Sequence, residues 1–166
     1  MKLYDQGIEE SSISQIIFGN AMMLGWIAVG TISCWFIHPA IAWVYLTIAL
    51  VMVFVVLRKL VCTNCYYYGK RCPIGWGKLS AMFFKQGSIE RFSTYAGVKI
   101  APLTYGLLTL IPLVLCIIAL VQEFTAPRII ILSLLLILSA YSGSIGRKKS
   151  CAQCKMKLIC PGSASK

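Results

Sequence analysis

The sequence predicts an all-α membrane protein: four transmembrane helices arranged as two repeated helical hairpins, each followed by a cytoplasmic cysteine knot. Three observations predict it. Of 166 residues, 58% are hydrophobic and 13% charged, where a soluble domain carries about 25% charged residues, and mean hydropathy is +0.79. Four apolar runs approach the roughly 20 residues needed to cross a bilayer. A third pattern, an outer-turn proline followed by an apolar run, a basic cluster and three cysteines, occurs twice.

The first span is expected over residues 13–37. It contains no Lys, Arg, Asp or Glu, and Asp5, Glu9 and Glu10 precede it where a secretory signal carries positive charge, so it reads as a retained span and not a cleaved leader. The second, 40–57, follows the turn "FIHPA" and leads into "RKLVCTNCYYYGKRCPIG". The third, 100–121, contains Pro112, which is expected to kink it. The fourth, 129–145, follows "VQEFTAPR" and leads into "RKKSCAQCKMKLICPGS". Only helices cross lipid in segments of this length, because each backbone polar group must be satisfied within the segment.

Pro39 precedes Cys62 by 23 residues and Pro127 precedes Cys151 by 24, which makes the halves look like a duplication. The organisation is then 1–72, a first hairpin with its knot; 73–98, an interfacial amphipathic loop; and 99–166, a second hairpin with its knot. Within the loop, Leu79, Met82 and Phe83 share one helical face with Lys78 and Lys85 towards its edges, as in a short helix lying in the interface. Gly69, Gly75, Gly77 and Gly87 mark turns.

Fifteen of the 16 basic residues lie before the first span, between Arg58 and Lys99, or from Arg147 onward; Arg128 alone lies elsewhere. Lys and Arg in short loops hold their side in the cytoplasm. Both termini and the middle loop are therefore expected in the cytoplasm, in a cell inner membrane, with the two proline turns outside. The formal charge of +11 is accounted for by topology and anionic head groups, and nucleic acid is not an expected partner. The expected spans hold no charged residue of the kind that marks ion paths. Asn20, Thr31, Thr104, Tyr105, Thr109, Ser133, Ser139 and Ser142 are expected to tie helices together, and Ala21 with Gly25 to form a small-residue contact. No catalytic set is apparent, so the chain is not expected to be an enzyme on its own.

Cys34 and Cys116 fall within spans and read as small apolar residues. Cys62, Cys65 and Cys72 form one knot; Cys151, Cys154 and Cys160 form the other. In a reducing compartment six such thiols favour metal or redox chemistry over disulfides. Lys59, Lys70, Arg71, Arg147, Lys148, Lys149, Lys155 and Lys157 are expected to lower the thiol pKa values. A structural zinc wants four ligands and each knot has three; His38, the single histidine, falls on the opposite face. Three ligand schemes remain open: a shared four-thiolate site from Cys62, Cys65, Cys151 and Cys154; pairs completed by a cysteine of the other half; or one iron-sulfur cluster per knot with an outside ligand. Tyr66, Tyr67 and Tyr68 read either as a shell around a cluster or as an interfacial aromatic belt.

The stretches "RCPIGWG" and "ICPGSA", each after a transmembrane hairpin, give the chain a distant resemblance to the membrane-bound polyferredoxin-type iron-sulfur proteins of nitrate and nitrous-oxide respiration. That family repeats Cys-x3-Cys-Pro, whereas the spacings here are Cys-x2-Cys-x6-Cys-Pro and Cys-x2-Cys-x5-Cys-Pro, with no soluble ferredoxin run. The resemblance implies electron transport and makes Cys72 and Cys160 cluster ligands. The combined expectation is a metal-binding subunit, carrying iron-sulfur of the 4Fe-4S type, for electron transfer or assembly in a larger redox complex, partnered by other membrane subunits and a soluble electron carrier. The alternatives are a zinc-stapled docking subunit without redox activity and a metal-free thiol sensor.

Overall fold

The computed structural model describes residues 3–72, 76–93 and 96–165; Pro73 and the turn expected at Gly75 lie outside them. Seven α-helices are described: α1 (Ile13–Trp35), α2 (Pro39–Leu50), α3 (Leu57–Val61), α4 (Trp76–Phe83), α5 (Ala96–Gln122), α6 (Ala126–Ala140) and α7 (Arg147–Ala152). π-Helical segments, Val51–Val56 and Tyr141–Gly146, join α2 to α3 and α6 to α7. Four helices are thus long and apolar enough to cross a membrane: Ile13–Trp35, Pro39–Asn64, Gly97–Gln122 and Ala126–Ala152. This suggests a multi-pass membrane protein in a lipid bilayer.

The second and fourth helices run seven residues further than the expected spans, to Asn64 and Ala152. Lys and Arg are good helix formers whose stems lie along apolar surface, so polarity ends the membrane-suited stretch without ending the helix.

Local chemistry sets the boundaries. Ser12 caps α1 by accepting from the Gln15 N–H at 3.4 Å. His38 Nδ1 caps α2 by accepting from the Ala40 N–H at 3.1 Å, with Pro39 at the first helical position. The histidine is thereby committed to the turn at the far end of the bundle from the cysteine knots.

Helix α1 is central, packing on α2, α5 and α6. Its buried residues Trp26, Ile27, Gly30, Ser33 and Cys34 form one helical stripe. They meet Ala42, Tyr45, Ala49 and Val53 of the second helix, Leu108 of α5 and Leu135 of α6. Cys34 and Cys116 are both fully buried among the helices. The outward faces carry Trp43, Leu103, Val121, Ile130 and Ile137, side chains suited to lipid.

Helix α5 runs through Pro102 and Pro112. Proline has no N–H, so Pro112 leaves the carbonyl four residues earlier, Leu108, without its helical donor. Tyr45 supplies one: its hydroxyl donates to the Leu108 carbonyl at 2.8 Å. The proline is thus part of the contact between the hairpins.

Several intramembrane polar groups bond within their own helix. Asn20, Thr31, Thr104, Thr109 and Ser142 donate to the carbonyl four residues earlier in their own helix. Ser139 does link helices, accepting from Trp26 Nε1 at 3.2 Å. The space beside Gly25 is open, with no atom within 4 Å of the place a Cβ would take, and Ala21 is exposed, so that pair does not serve the other hairpin.

At the proline turns Arg128 donates to the Ala119 and Glu123 carbonyls at 2.7 and 2.8 Å, pairs with the Glu123 carboxylate at 2.7 Å and lies 5.7 Å from the Phe36 ring. It caps the C-terminus of α5 and ties both turns together. The one basic residue off the common side therefore has a local structural task.

Candidate metal centre

Each second helix ends in a pair of tight turns that begins at a cysteine. In the first knot the Cys65 N–H donates to the Cys62 carbonyl at 3.3 Å and the Tyr68 N–H to the Cys65 carbonyl at 3.1 Å. In the second, Cys154 N–H donates to the Cys151 carbonyl at 3.2 Å and Lys157 N–H to the Cys154 carbonyl at 3.0 Å. The same two rungs thus fold both Cys-x2-Cys segments. In both, the backbone N–H two residues on, that of Tyr67 for Cys65 and of Met156 for Cys154, favours the thiolate form of the second cysteine. The Trp76 N–H donates to the Cys72 sulfur at 3.2 Å.

Two glycines shape the first knot. Gly69 takes φ +75°, the left-handed region open to glycine, at the turn between Cys65 and Cys72. Gly77 lies so close to the backbone of that turn that a Cβ would collide with the carbonyl oxygens of Tyr67 and Lys70.

The knots come from segments about ninety residues apart and are in direct contact. The buried Tyr67 hydroxyl donates to the Ile8 carbonyl at 2.6 Å and accepts from the Lys155 N–H at 3.1 Å. Tyr67 therefore joins the first knot, the second knot and the N-terminal segment at one atom. That segment, Tyr4 to Ser11, lies across both knots as a strap. Its Tyr4 and Ile8 N–H groups donate to the Lys155 and Gln153 carbonyls, both at 3.0 Å, and its Ser11 N–H to the Arg71 carbonyl at 2.8 Å. Glu9 pairs with Lys155 at 2.8 Å and Glu10 with Arg71 at 2.7 Å, one carboxylate to each knot. Beneath lies a small core of Phe92, Val98 and Met156, against which Cys65, Cys154 and Cys160 pack.

The sulfurs share one neighbourhood. Cys65 interacts electrostatically with Cys62, Cys154 and Cys72, and Cys154 with Cys151, Cys160 and Cys72. No disulfide joins any of the eight cysteines, and among the described residues no three His, Cys, Asp or Glu side chains are grouped closely enough to hold a metal ion as they stand. Ligation would require the side chains to turn inward as their protons leave.

The expected depression of the thiol pKa values is not what the site produces. Burial pushes Cys65 up, and pushes Cys154 up to about 11, despite the N–H donors. Four of the eight lysines and arginines named for that task are engaged elsewhere: Lys155 and Arg71 with the strap, Arg147 with the Gly162 carbonyl at 2.6 Å, and Lys70 with the Tyr66 hydroxyl at 3.2 Å. The tyrosines are staples and not an outer belt. Tyr66 packs edge-on against Tyr67 at 5.3 Å, and the Tyr68 hydroxyl donates to the Phe84 carbonyl at 2.6 Å.

One basic residue does face the sulfurs. Arg58, 6% exposed, sits one helical turn before Cys62. Its guanidinium lies 4.0 Å from the Cys62 sulfur, 3.9 Å from that of Met23 and 3.3 Å from the centre of the Trp76 ring. By sequence Arg58 counts only towards topology; its position four residues before the first cysteine, shared with Arg147 before Cys151, is the signal that points to more. The strap has no such signal, since Glu9 and Glu10 carry no local pattern that names partners far along the chain.

Helix α4 buries Trp76, Gly77 and Ser80 and leaves Leu79, Met82 and Phe83 exposed on its outer side. Fold and site define a helical, multi-pass class of protein whose two cysteine knots meet at one end of the bundle under an N-terminal strap. No family model, curated protein or solved structure matches the chain.

Proposed function

We propose that the chain is a membrane-embedded metal-binding subunit, carrying iron-sulfur, that serves electron transfer or assembly within a larger redox complex. The observation that carries this reading is the contact between two cysteine knots of like hydrogen bonding, bridged at the Tyr67 hydroxyl. The backbone N–H donated to Cys72, with those of Tyr67 and Met156 that favour the thiolate at Cys65 and Cys154, is a second support, because donors of this kind stabilise sulfur carrying negative charge and tune cluster potentials. Six sulfurs, Cys62, Cys65, Cys72, Cys151, Cys154 and Cys160, would serve as ligands. A bound cluster would supply one-electron chemistry; the chain's residues would hold it, exclude water and set its electrostatics.

The halves are read as a duplication, with both knots and both termini in the cytoplasm. The distribution of basic residues supports this sidedness, and the local role of Arg128 accounts for the exception. The exposed apolar face of α4 suits the lipid interface. Other subunits and a soluble electron carrier would dock at the basic end.

Anaerobic purification followed by iron, sulfide and zinc analysis with a visible spectrum tests the reading. Iron with sulfide and an absorption that bleaches on reduction are expected. Neither iron nor sulfide would overturn it. Stoichiometric zinc in a colourless preparation would replace it with a zinc-stapled docking subunit, and rapid alkylation of all six thiols in untreated protein with a metal-free sensor.

A further inference from the structure

Arg58 is a buried cation with no acid to balance it. Among the described residues the ion pairs are Arg71 with Glu10, Arg128 with Glu123 and Lys155 with Glu9, and none reaches Arg58. Among the described residues its Nε lacks an acceptor, and so does the indole N–H of Trp76, the ring on which the guanidinium is stacked. A guanidinium stays protonated throughout the accessible pH range. An unpaired charge in such a site is strongly unfavourable, and two orphaned donors in one stack add to that cost.

The surroundings indicate what supplies the missing negative charge. The guanidinium contacts the sulfur of Cys62, and the backbone N–H of the stacked Trp76 donates to the sulfur of Cys72. Phe54 and Met23 also neighbour the guanidinium, at 5.9 Å from the ring centre and 3.9 Å from the sulfur, and the Tyr105 hydroxyl interacts with it electrostatically. A metal centre of charge 2+, such as Zn2+, becomes a net anion once three or more thiolates bind it, as they would if Cys62 and Cys72 were joined by further sulfurs of the knots. Resting on the proposed function, we propose that Arg58 is the fixed counter-cation of an anionic metal-thiolate centre anchored by Cys62 and Cys72.

Arg147, at the matching position of the other half, donates to the Gly162 carbonyl. Electrostatics then fix a direction: a nearby cation favours the more negative, reduced form of the centre.

The test compares wild type, R58M, R58K and, as a surface control one position along, K59M. Each is loaded anaerobically with ferrous iron and sulfide and, in parallel, with Zn2+. Metal content, the oxidised-to-reduced equilibrium, Zn2+ affinity at fixed pH, and the thermal midpoint with and without metal are measured. Methionine fits the apolar setting, so R58M without metal should melt higher than metal-free wild type. Loaded, the order should reverse. The reduction equilibrium of R58M should move at least tenfold towards the oxidised form, about 59 mV for one electron, or Zn2+ affinity should fall at least tenfold. R58K should recover most of either change, and K59M should match wild type.

Wild type that takes up neither probe would bring down the proposed function and this inference with it. Wild type that binds metal while R58M matches it in equilibrium, affinity and melting order would overturn the role of Arg58 alone. Metal-free R58M that fails to fold, or melts lower than wild type, would also overturn it, since the cation would then be stabilising the empty site.

Discussion

Replacing Tyr67 with phenylalanine should loosen the junction between the knots while leaving the helical bundle intact. The ring is 2% exposed and would keep its packing, so the change removes one oxygen. That oxygen donates to Ile8 at 2.6 Å and accepts from Lys155 at 3.1 Å. Each hydrogen bond is worth about 1 kcal/mol net, and stranding the Ile8 carbonyl and the Lys155 N–H without partners makes about 2 kcal/mol a lower bound for the strap and second knot together. Since about 1.4 kcal/mol is a factor of ten, opening of the strap should become about 30 times more frequent. Amide hydrogen exchange in lipid nanodiscs reads this out. The informative amides are Tyr4 and Ile8, whose own acceptors, the Lys155 and Gln153 carbonyls, survive the substitution, so that faster exchange there reports opening and not the loss of their own bonds. Unchanged exchange at Tyr4 and Ile8, or equal acceleration in the bundle core around Ala49, would refute the view that Tyr67 couples the knots.

Tyr45→Phe should destabilise the bundle by roughly 1.7 kcal/mol, the upper end for polar contacts between membrane helices, because Pro112 has removed the other donor to Leu108; in a P112A background, where the helical N–H returns, thermal melts should show a smaller loss. Gly77→Ala should disrupt the first knot by about 1–3 kcal/mol or more, with faster alkylation of Cys72, whereas Gly25→Ala, which meets open space, should leave alkylation unchanged. The strap should also respond to acid. A side-chain hydrogen bond from Lys155 holds the Glu9 carboxyl below its ordinary value of 4.5, and one from Arg71 does the same for Glu10. Carboxyls depressed by folding contribute in full above the unfolded value and lose their contribution as the pH falls through the folded one. Limited proteolysis of residues 4–11 should therefore be slow at neutral pH and accelerate below pH 4.5, with E9Q and E10Q raising the neutral rate and flattening the profile.

The four long helices were legible because hydropathy acts over whole segments, and the turns at Pro39 and Pro127 because proline favours the first helical turn. The helix ends were less so: Arg58 and Arg147 mark a change in polarity, yet the backbone continues past both. Cys62, Cys65, Cys72, Cys151, Cys154 and Cys160 were visible as two knots by spacing alone. The contact between them, with Cys65 and Cys154 on one small core, depends on how α5 packs against α3, which periodicity does not encode. Residue types also misled where geometry decides. Lysines near cysteines suggested acidic thiols, but Lys155 and Arg71 turn to the strap, and burial governs Cys65 and Cys154. Threonines in spans suggested links between helices, but a γ-hydroxyl on a helix has a carbonyl of its own within reach.

The strap has a consequence for biosynthesis. Glu9 leaves the ribosome 146 residues ahead of its partner Lys155, an interval of about 7–30 s at ordinary elongation rates. During that time the third and fourth apolar helices must enter the membrane while the leading sulfurs wait uncovered. Were a metal centre delivered before translation reached the trailing sulfurs, as the proposed function would allow, it would meet a half-made cradle.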